Sequence, residues 1–348
     1  MIAEGIILGL VAAVFQSFCY VYTRIFVSRP GYKSGALFAL SHAWMGLFAL
    51  ALLPFAYNGA QVARVSLYIW PLLGSVGFYM AGQVCLIHAV KATDASRVSP
   101  LLGLKILILS LITVTLFHNV LTPLQWLSVL MSLGAALALN YSGGGAMPVR
   151  SVVMVLGACV GYSFSDLCIV ALVQALSPEN GLRGILLASS LTYILASVVG
   201  LILVGIGHAE DRTPEKWRAA LPMAITWFAA MVFLFISLRQ VGAVFGNIVQ
   251  SMRGPFSILI GMAIAARGHV ALERRVGSWV LVRRLAAALL MCAAIGLFAH
   301  ERARVEEKAK QINRQLTMGN LQMDAEDEKP GSRLTPGLAV QVDGAFSR

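Results

Sequence analysis

Ten apolar stretches run through the first 299 positions, at approximately 5–23, 35–57, 67–90, 98–117, 122–141, 151–175, 184–207, 219–238, 243–266 and 284–299. Each is near the ~20 residues that a helix needs to cross a hydrocarbon core of ~30 Å. Lipid offers no partner for backbone N–H and C=O groups, so such stretches must satisfy them internally as helices. Hydrophobic residues make up 58% of the 348 and charged residues 12%, against roughly 25% charged in soluble domains. The pattern predicts an all-α membrane protein of ten transmembrane helices, multi-pass, with a bacterial inner membrane as the expected location. Pro71, Pro100, Pro222 and Pro255 fall inside spans, where neighbouring helices and side chains re-satisfy the freed groups.

The first span is expected to stay in the mature chain, because Met1 to Gly5 has no basic n-region and carries Glu4. Cys19, Cys85, Cys159, Cys168 and Cys292 all lie in spans without CxxC spacing, and they read as small core hydrophobes rather than a disulfide or metal framework. The net charge of +11 comes from basic residues scattered over the loops. That distribution suits anionic lipid headgroups and argues against nucleic acid, which needs a clustered patch. Counted by alternating loops, Arg24, Arg29, Lys33, Lys91, Arg97, Arg150, Arg212, Lys216, Arg218, Arg267, Arg274 and Arg275 share one side. By the positive-inside rule this weighs toward both termini outside, with the tail cluster from Arg302 to Arg314 weighing against.

Compared at an offset near 148, the chain echoes itself. "LGLVAAVFQSF" (8–18) lies against "LGACVGYSFSD" (156–166), "LSHAW" (40–44) against "ASSLT" (188–192), "HAVKATDAS" (88–96) against "SLRQVGAV" (237–244), and "LLGLKILIL" (101–109) beside "QSMRGPFSIL" (250–259). Four weak matches in one order imply a repeat. Each half holds five spans, an odd number, so the second half enters the membrane from the opposite side. Inverted repeats of this kind place binding sites near the midplane at the repeat interface. The expected organisation is a first repeat at 1–142, a Gly-rich link "YSGGGAMPVR" (141–150), a second repeat at 150–299, and a tail at 300–348. The tail reads as a charged surface helix with a Glu306/Lys310 pair, then a disordered remainder.

The fourth-to-fifth span segment "ASRVSPLLGLKILILSLITVTLFHNVLTPLQW" (95–126) and its counterpart "AVFGNIVQSMRGPFSILIGMAIAARGH" (243–269) resemble the drug/metabolite transporter superfamily in its ten-helix EamA-type branch. The resemblance covers residues 1 to about 299. It implies two five-helix repeats and a transport activity with no fixed substrate. The family's Gly-Glu positions are filled here by His118 and Asn119, and by Gly268 and His269. Pro255 keeps the family's central proline, whereas the matching first-half place is Ile106, and "ALERRVGSWV" (271–280) is extra.

An ionisable side chain at mid-membrane costs roughly 2.5–3.5 kcal/mol on insertion scales and normally faces a cavity or a partner. Lys105, Asp166 and Arg253 stand out, in spans four, six and nine, and the two cations align to within one residue across the repeat. Asn247, Gln250, Arg253 and Ser257 recur at helical spacing and form one stripe. In span four Ser99, Ser110 and Thr113 share a face, from which Lys105 points away by about 80° at ~100° per residue. Lys105 is therefore read either as a substrate ligand, its stem swinging toward that face, or as a cation that snorkels or pairs with a carbonyl or Asp166. Asp166 shares a stripe with Cys159 and Tyr162, and span one offers Gln16, Tyr20 and Thr23. Asp166 suits either proton uptake and release or a permanent counter-ion. Tyr79 and Gln83 are read as further cavity residues. His42 and His88 are candidate coupling residues, set against packing roles, while Trp44, Trp70 and Trp126 read as packing or interfacial anchors.

The favoured function is a secondary carrier moving a small polar metabolite by alternating access. Two intramembrane cations suit a carboxylate or phosphate on the substrate. A lipid-linked metabolite flippase and a broad drug exporter are the alternatives within transport. An embedded enzyme is disfavoured, because the six histidines are dispersed and there is no HExxH or paired acid. No cofactor or metal is expected. The expected partners are a small-molecule substrate, a coupled proton and the lipid bilayer, with a homodimer left open.

Overall fold

The computed structural model describes residues 2–57, 59–92, 101–140, 148–177, 181–266 and 278–327. Ser99, Pro100, most of the Gly-rich link, Gly268, His269, most of the extra segment at 271–280 and the tail beyond 327 lie outside the described residues. Among the described residues the regular structure is helical throughout. The helices are α1 (Ile2–Val27), α2 (Ser34–Ala56), α3 (Val65–Ala92), α4 (Leu104–Leu116), α5 (Pro123–Asn140), α6 (Val149–Leu176), α7 (Leu182–Ile206), α8 (Pro214–Val241), α9 (Ala243–Gln250), α10 (Arg253–Ala266) and α11 (Ser278–Asp327), with a single turn at Gly59–Val62. Seven of these are long and apolar enough to cross a membrane, and α4 and α5 are shorter apolar helices. The ninth span, expected as one helix over 243–266, is divided into α9 and α10 by a turn at Ser251–Met252.

The most extensive helix pairings are α3 with α6, α1 with α8 and α2 with α7. Advancing every helix by five spans turns the α1–α8 pair into α6–α3 and returns α2–α7 to itself. The smaller contact of α4 with α6 becomes that of α9 and α10 with α1, which is also present. A fold of two five-helix repeats with opposite topology produces this pattern.

Small residues set these crossings. In lipid, helices gain nothing from hiding apolar surface, so close backbone approach and its dispersion contacts do the work. A Cβ added at Gly161 of α6 would lie 2.9 Å from the Phe78 carbonyl oxygen and 3.0 Å from Gly82 Cα of α3. One added at Gly5 of α1 would meet Val241 Cγ1 at 2.6 Å. Gly46 of α2 packs in the same way on Ser197 of α7. Between α8 and α9 the chain reverses through Gly242 alone, whose φ of 78° is left-handed and disfavoured for residues with a Cβ.

By contacts the chain divides into two units, Met1–Ala299 and His300–Arg348. In the second unit Glu306 pairs with Arg302, Nε to Oε1 3.0 Å, one turn back from the expected partner Lys310. In the first unit, the loop before α2 and the loop before α8 meet at Asp211. Its carboxylate binds Lys216 at 2.8 Å and Lys33 at 3.8 Å, and Lys216 Nζ also donates to the Gly31 carbonyl at 2.9 Å.

Candidate functional site

A cavity of about 330 Å³ lies among α1, α3, α4, α6, α7, α8, α9 and α10, lined from both halves of the chain. Its charged and amide lining includes Lys105, Asp166, Arg253, Gln16 and Gln250. The remainder of the wall is mainly apolar and aromatic, including Tyr20, Tyr79, Tyr162, Tyr193, Trp227 and Met231.

Both cations enter this cavity just after a turn in their helix. Residues 102–103 form a turn before α4, and Lys105 is that helix's second residue. Ser251–Met252 forms the turn before α10, and Arg253 is its first residue. Pro255, in the first turn of α10, has no N–H to continue the bonding of α9, and a proline is tolerated at such a helix start. Each cation's own carbonyl is held by a serine of the helix it crosses. Ser17 Oγ is 2.9 Å from the Arg253 oxygen and 2.8 Å from that of Ala13. Ser163 Oγ is 3.4 Å from the Lys105 oxygen and 2.8 Å from that of Cys159.

The side chains repeat the exchange. Lys105 Nζ reaches from span four to Asp166 Oδ2 in span six at 2.7 Å. Arg253 Nη1 reaches from span nine to Gln16 Oε1 in span one at 3.3 Å. Spans four and six become nine and one under the repeat relation, so the two bridges are counterparts. Their acceptors differ, a carboxylate in one and a neutral amide in the other. Asn247 Nδ2 donates to Asp166 Oδ2 at 2.6 Å and to the Ala243 carbonyl at 2.9 Å. Both partners accept, which fixes the orientation of that amide. Gln16 Nε2 faces the Met231 sulfur at 3.8 Å, so its oxygen is the atom turned to Arg253.

The structure brings together Lys105, Asp166, Arg253, Gln250, Gln16, Tyr20, Tyr79 and Gln83 as cavity lining. Asn247 stands behind the lining and reaches it through Asp166. Ser257 is half-buried and outside the lining, because the turn at 251–252 interrupts the stripe expected from a continuous helix. His42 is buried behind Tyr79. Its Nδ1 donates to the Phe38 carbonyl at 2.7 Å, leaving Nε2 of the neutral ring to accept from the Tyr79 hydroxyl at 3.2 Å. His88 is exposed, bonds Val84 of its own helix and does not line the cavity. Ser110 and Thr113 are buried, with their hydroxyls on the carbonyls of Ile106 and Leu109, so the hydroxyl face of span four packs in the protein while Lys105 faces the cavity.

Sequence reasoning missed Ser17 and Ser163, whose signal was a serine near the same place in each half. It also missed Tyr193, Trp227 and Met231, which nothing in an apolar span sets apart from packing residues.

No match is found among curated proteins. A solved crystal structure, described only as that of a protein, is similar at a TM-score of 0.63 with 14% identity, covering 88% of this chain and 100% of that one. That likeness speaks for the fold alone. The apolar helices mark the chain as an integral, multi-pass membrane protein, and its residues 3–141 match the EamA-like transporter family, of the drug/metabolite transporter superfamily.

Proposed function

We propose that the protein is a secondary carrier that moves a small solute with an anionic group across the membrane by alternating access. The observation that carries this reading is the placement of the charges. Lys105, Asp166 and Arg253 line a cavity to which both halves of the chain contribute, and each cation bridges one half to the other. Ligands that engage such bridges bias how the two halves sit against each other, as rocking of one repeat on the other requires.

Asp166 acts as the standing counter-ion of Lys105 rather than as a shuttling acid. Supporting this, it already accepts from an ammonium at 2.7 Å and an amide at 2.6 Å. The test is uptake into proteoliposomes of an anionic, a zwitterionic and a cationic metabolite panel, with and without an imposed pH gradient. The proposal expects saturable uptake of members bearing an anionic group, and a gradient response unchanged in a Lys105→Gln, Asp166→Asn double variant. Gradient dependence abolished by Asp166→Asn and by the double variant alike would assign Asp166 the proton instead.

The aromatic wall favours one second reading, export of varied apolar drugs. Transport of neutral and cationic aromatic compounds that is indifferent to Arg253→Gln would establish it.

A further inference from the structure

The two counterpart bridges are unequal in charge, and the inequality leaves a place for a ligand. Lys105 is compensated by Asp166. Among the described residues the Arg253 side chain meets the neutral oxygen of Gln16, and no carboxylate there forms an ion pair with it. Lys105 and Asp166 cancel, so the charged residues lining the cavity sum to a formal charge of one positive unit. Beside Arg253, across the turn, the Gln250 side chain lines the cavity and is 97% buried by its 3% exposure, yet its Nε2 has no hydrogen-bond partner. A buried donor left unsatisfied is unfavourable, and a ligand acceptor at this spot removes that penalty. The Tyr162 hydroxyl, on the same cavity, is likewise buried without a partner.

We propose that Arg253 and Gln250 form the anion subsite of the cavity, and that it takes a monoanionic carboxylate carrying an apolar body. The carboxylate stands to Arg253 as Asp166 stands to Lys105, and the guanidinium fork matches its two oxygens. The apolar body lies against Tyr79, Tyr162, Trp227 and Met231, which line the rest of the cavity. The volume of about 330 Å³ is at the small end of the ~300–1,000 Å³ seen for ligand pockets, which suits a compact monoacid. The inference rests on the carrier reading for its role, but the subsite is a claim about binding.

The test uses that distinction. Purified full-length protein in detergent is titrated with 3-phenylpropionate and 4-methylpentanoate, with the neutral amide of each, and with inorganic phosphate, by calorimetry. Gln16→Glu supplies the missing carboxylate from the chain itself, while Gln16→Leu removes the amide oxygen and supplies no charge. The expected result is saturable carboxylate binding in the natural protein, at least about tenfold weaker binding of the amides, and a loss in Gln16→Glu at least about tenfold greater than the loss in Gln16→Leu. Each variant's monodispersity and thermal transition are read alongside, and Arg253→Gln is expected to lose binding if Gln16→Glu is not recovered folded. Absence of carboxylate binding, equal binding of the amides, tighter binding of phosphate, or full binding by a folded Gln16→Glu protein would overturn the subsite. Carboxylate binding lost in Gln16→Glu without uptake by proteoliposomes of the natural protein leaves the subsite standing and removes the carrier role. Uptake of either carboxylate that is indifferent to Gln16→Glu does the reverse.

Discussion

Lys105 Nζ stands 2.7 Å from Asp166 Oδ2 with both side chains almost wholly out of solvent, and the pair ties the first half of the chain to the second. Removing one member of a buried pair strands the other, at about 3–5 kcal/mol, whereas replacing both is far less costly. Lys105→Gln and Asp166→Asn are each expected to lose stability on that scale, and the double variant less than their sum. Reversible unfolding in detergent measures this cycle. Additive losses would show that the two charges do not interact.

The α3–α6 crossing depends on backbone contact at Gly161, where a Cβ would press on the Phe78 carbonyl and on Gly82. Neither is the end of a flexible side chain. Gly161→Ala should therefore cost about 1–3 kcal/mol, as overpacking does, and Gly161→Leu should prevent recovery of folded protein. Gly134, with nothing within 4 Å of an added Cβ, serves as the control, and Gly134→Ala should leave the thermal transition unchanged or slightly raised.

The loop junction at Asp211 predicts acid sensitivity. The hydrogen bond from Lys216, aided by the charges of Lys216, Lys33 and His208, holds its carboxyl below the usual carboxylate value, against a smaller opposing effect of burial. A carboxylate with a depressed folded-state pKa contributes its stability above its unfolded value, ~3.9, and loses it as pH falls through the folded value. Thermal transitions taken from pH 7 down to pH 3 should fall more steeply for the natural protein than for Asp211→Asn. The variant should already be less stable at pH 7, because it loses the carboxylate that Lys216 and Lys33 bind. Parallel curves would contradict this.

Tyr79 receives its orientation from His42, through the 3.2 Å contact between its hydroxyl and Nε2. Tyr79→Phe should cost about 1 kcal/mol of stability and leave the aromatic wall in place. His42→Leu removes one of the two side-chain partners of the Tyr79 hydroxyl, Gln83 being the other, together with the ring's own bond to Phe38, and should cost more. A smaller loss in His42→Leu than in Tyr79→Phe would place the two residues in separate environments.

Much of the architecture was legible because lipid imposes one rule on every span. Apolar length alone located the helices, and the offset near 148 paired Lys105 with Arg253 before any geometry was known. The acceptor of Lys105 was legible only as one of two options, a carbonyl or Asp166, and the acceptor of Arg253 was not legible. It depends on helix azimuth, and the turns at 102–103 and 251–252 reset the azimuth within spans four and nine. The stripe drawn through Asn247, Gln250, Arg253 and Ser257 assumed a continuous helix, so it carried over for two cavity residues and ran astray at Ser257. Span four misled differently. Its hydroxyls suggested a wet face, but Ser110 and Thr113 bond carbonyls of their own helix, as such residues do within apolar spans.

The central claim is tested most directly by solute counterflow in proteoliposomes, with the metabolite panel loaded on one side and a labelled member supplied on the other. An alternating-access carrier predicts transient accumulation that saturates with concentration and is lost in Arg253→Gln while the variant remains folded. Flux that rises linearly with concentration, or saturable flux that Arg253→Gln leaves intact, would contradict it.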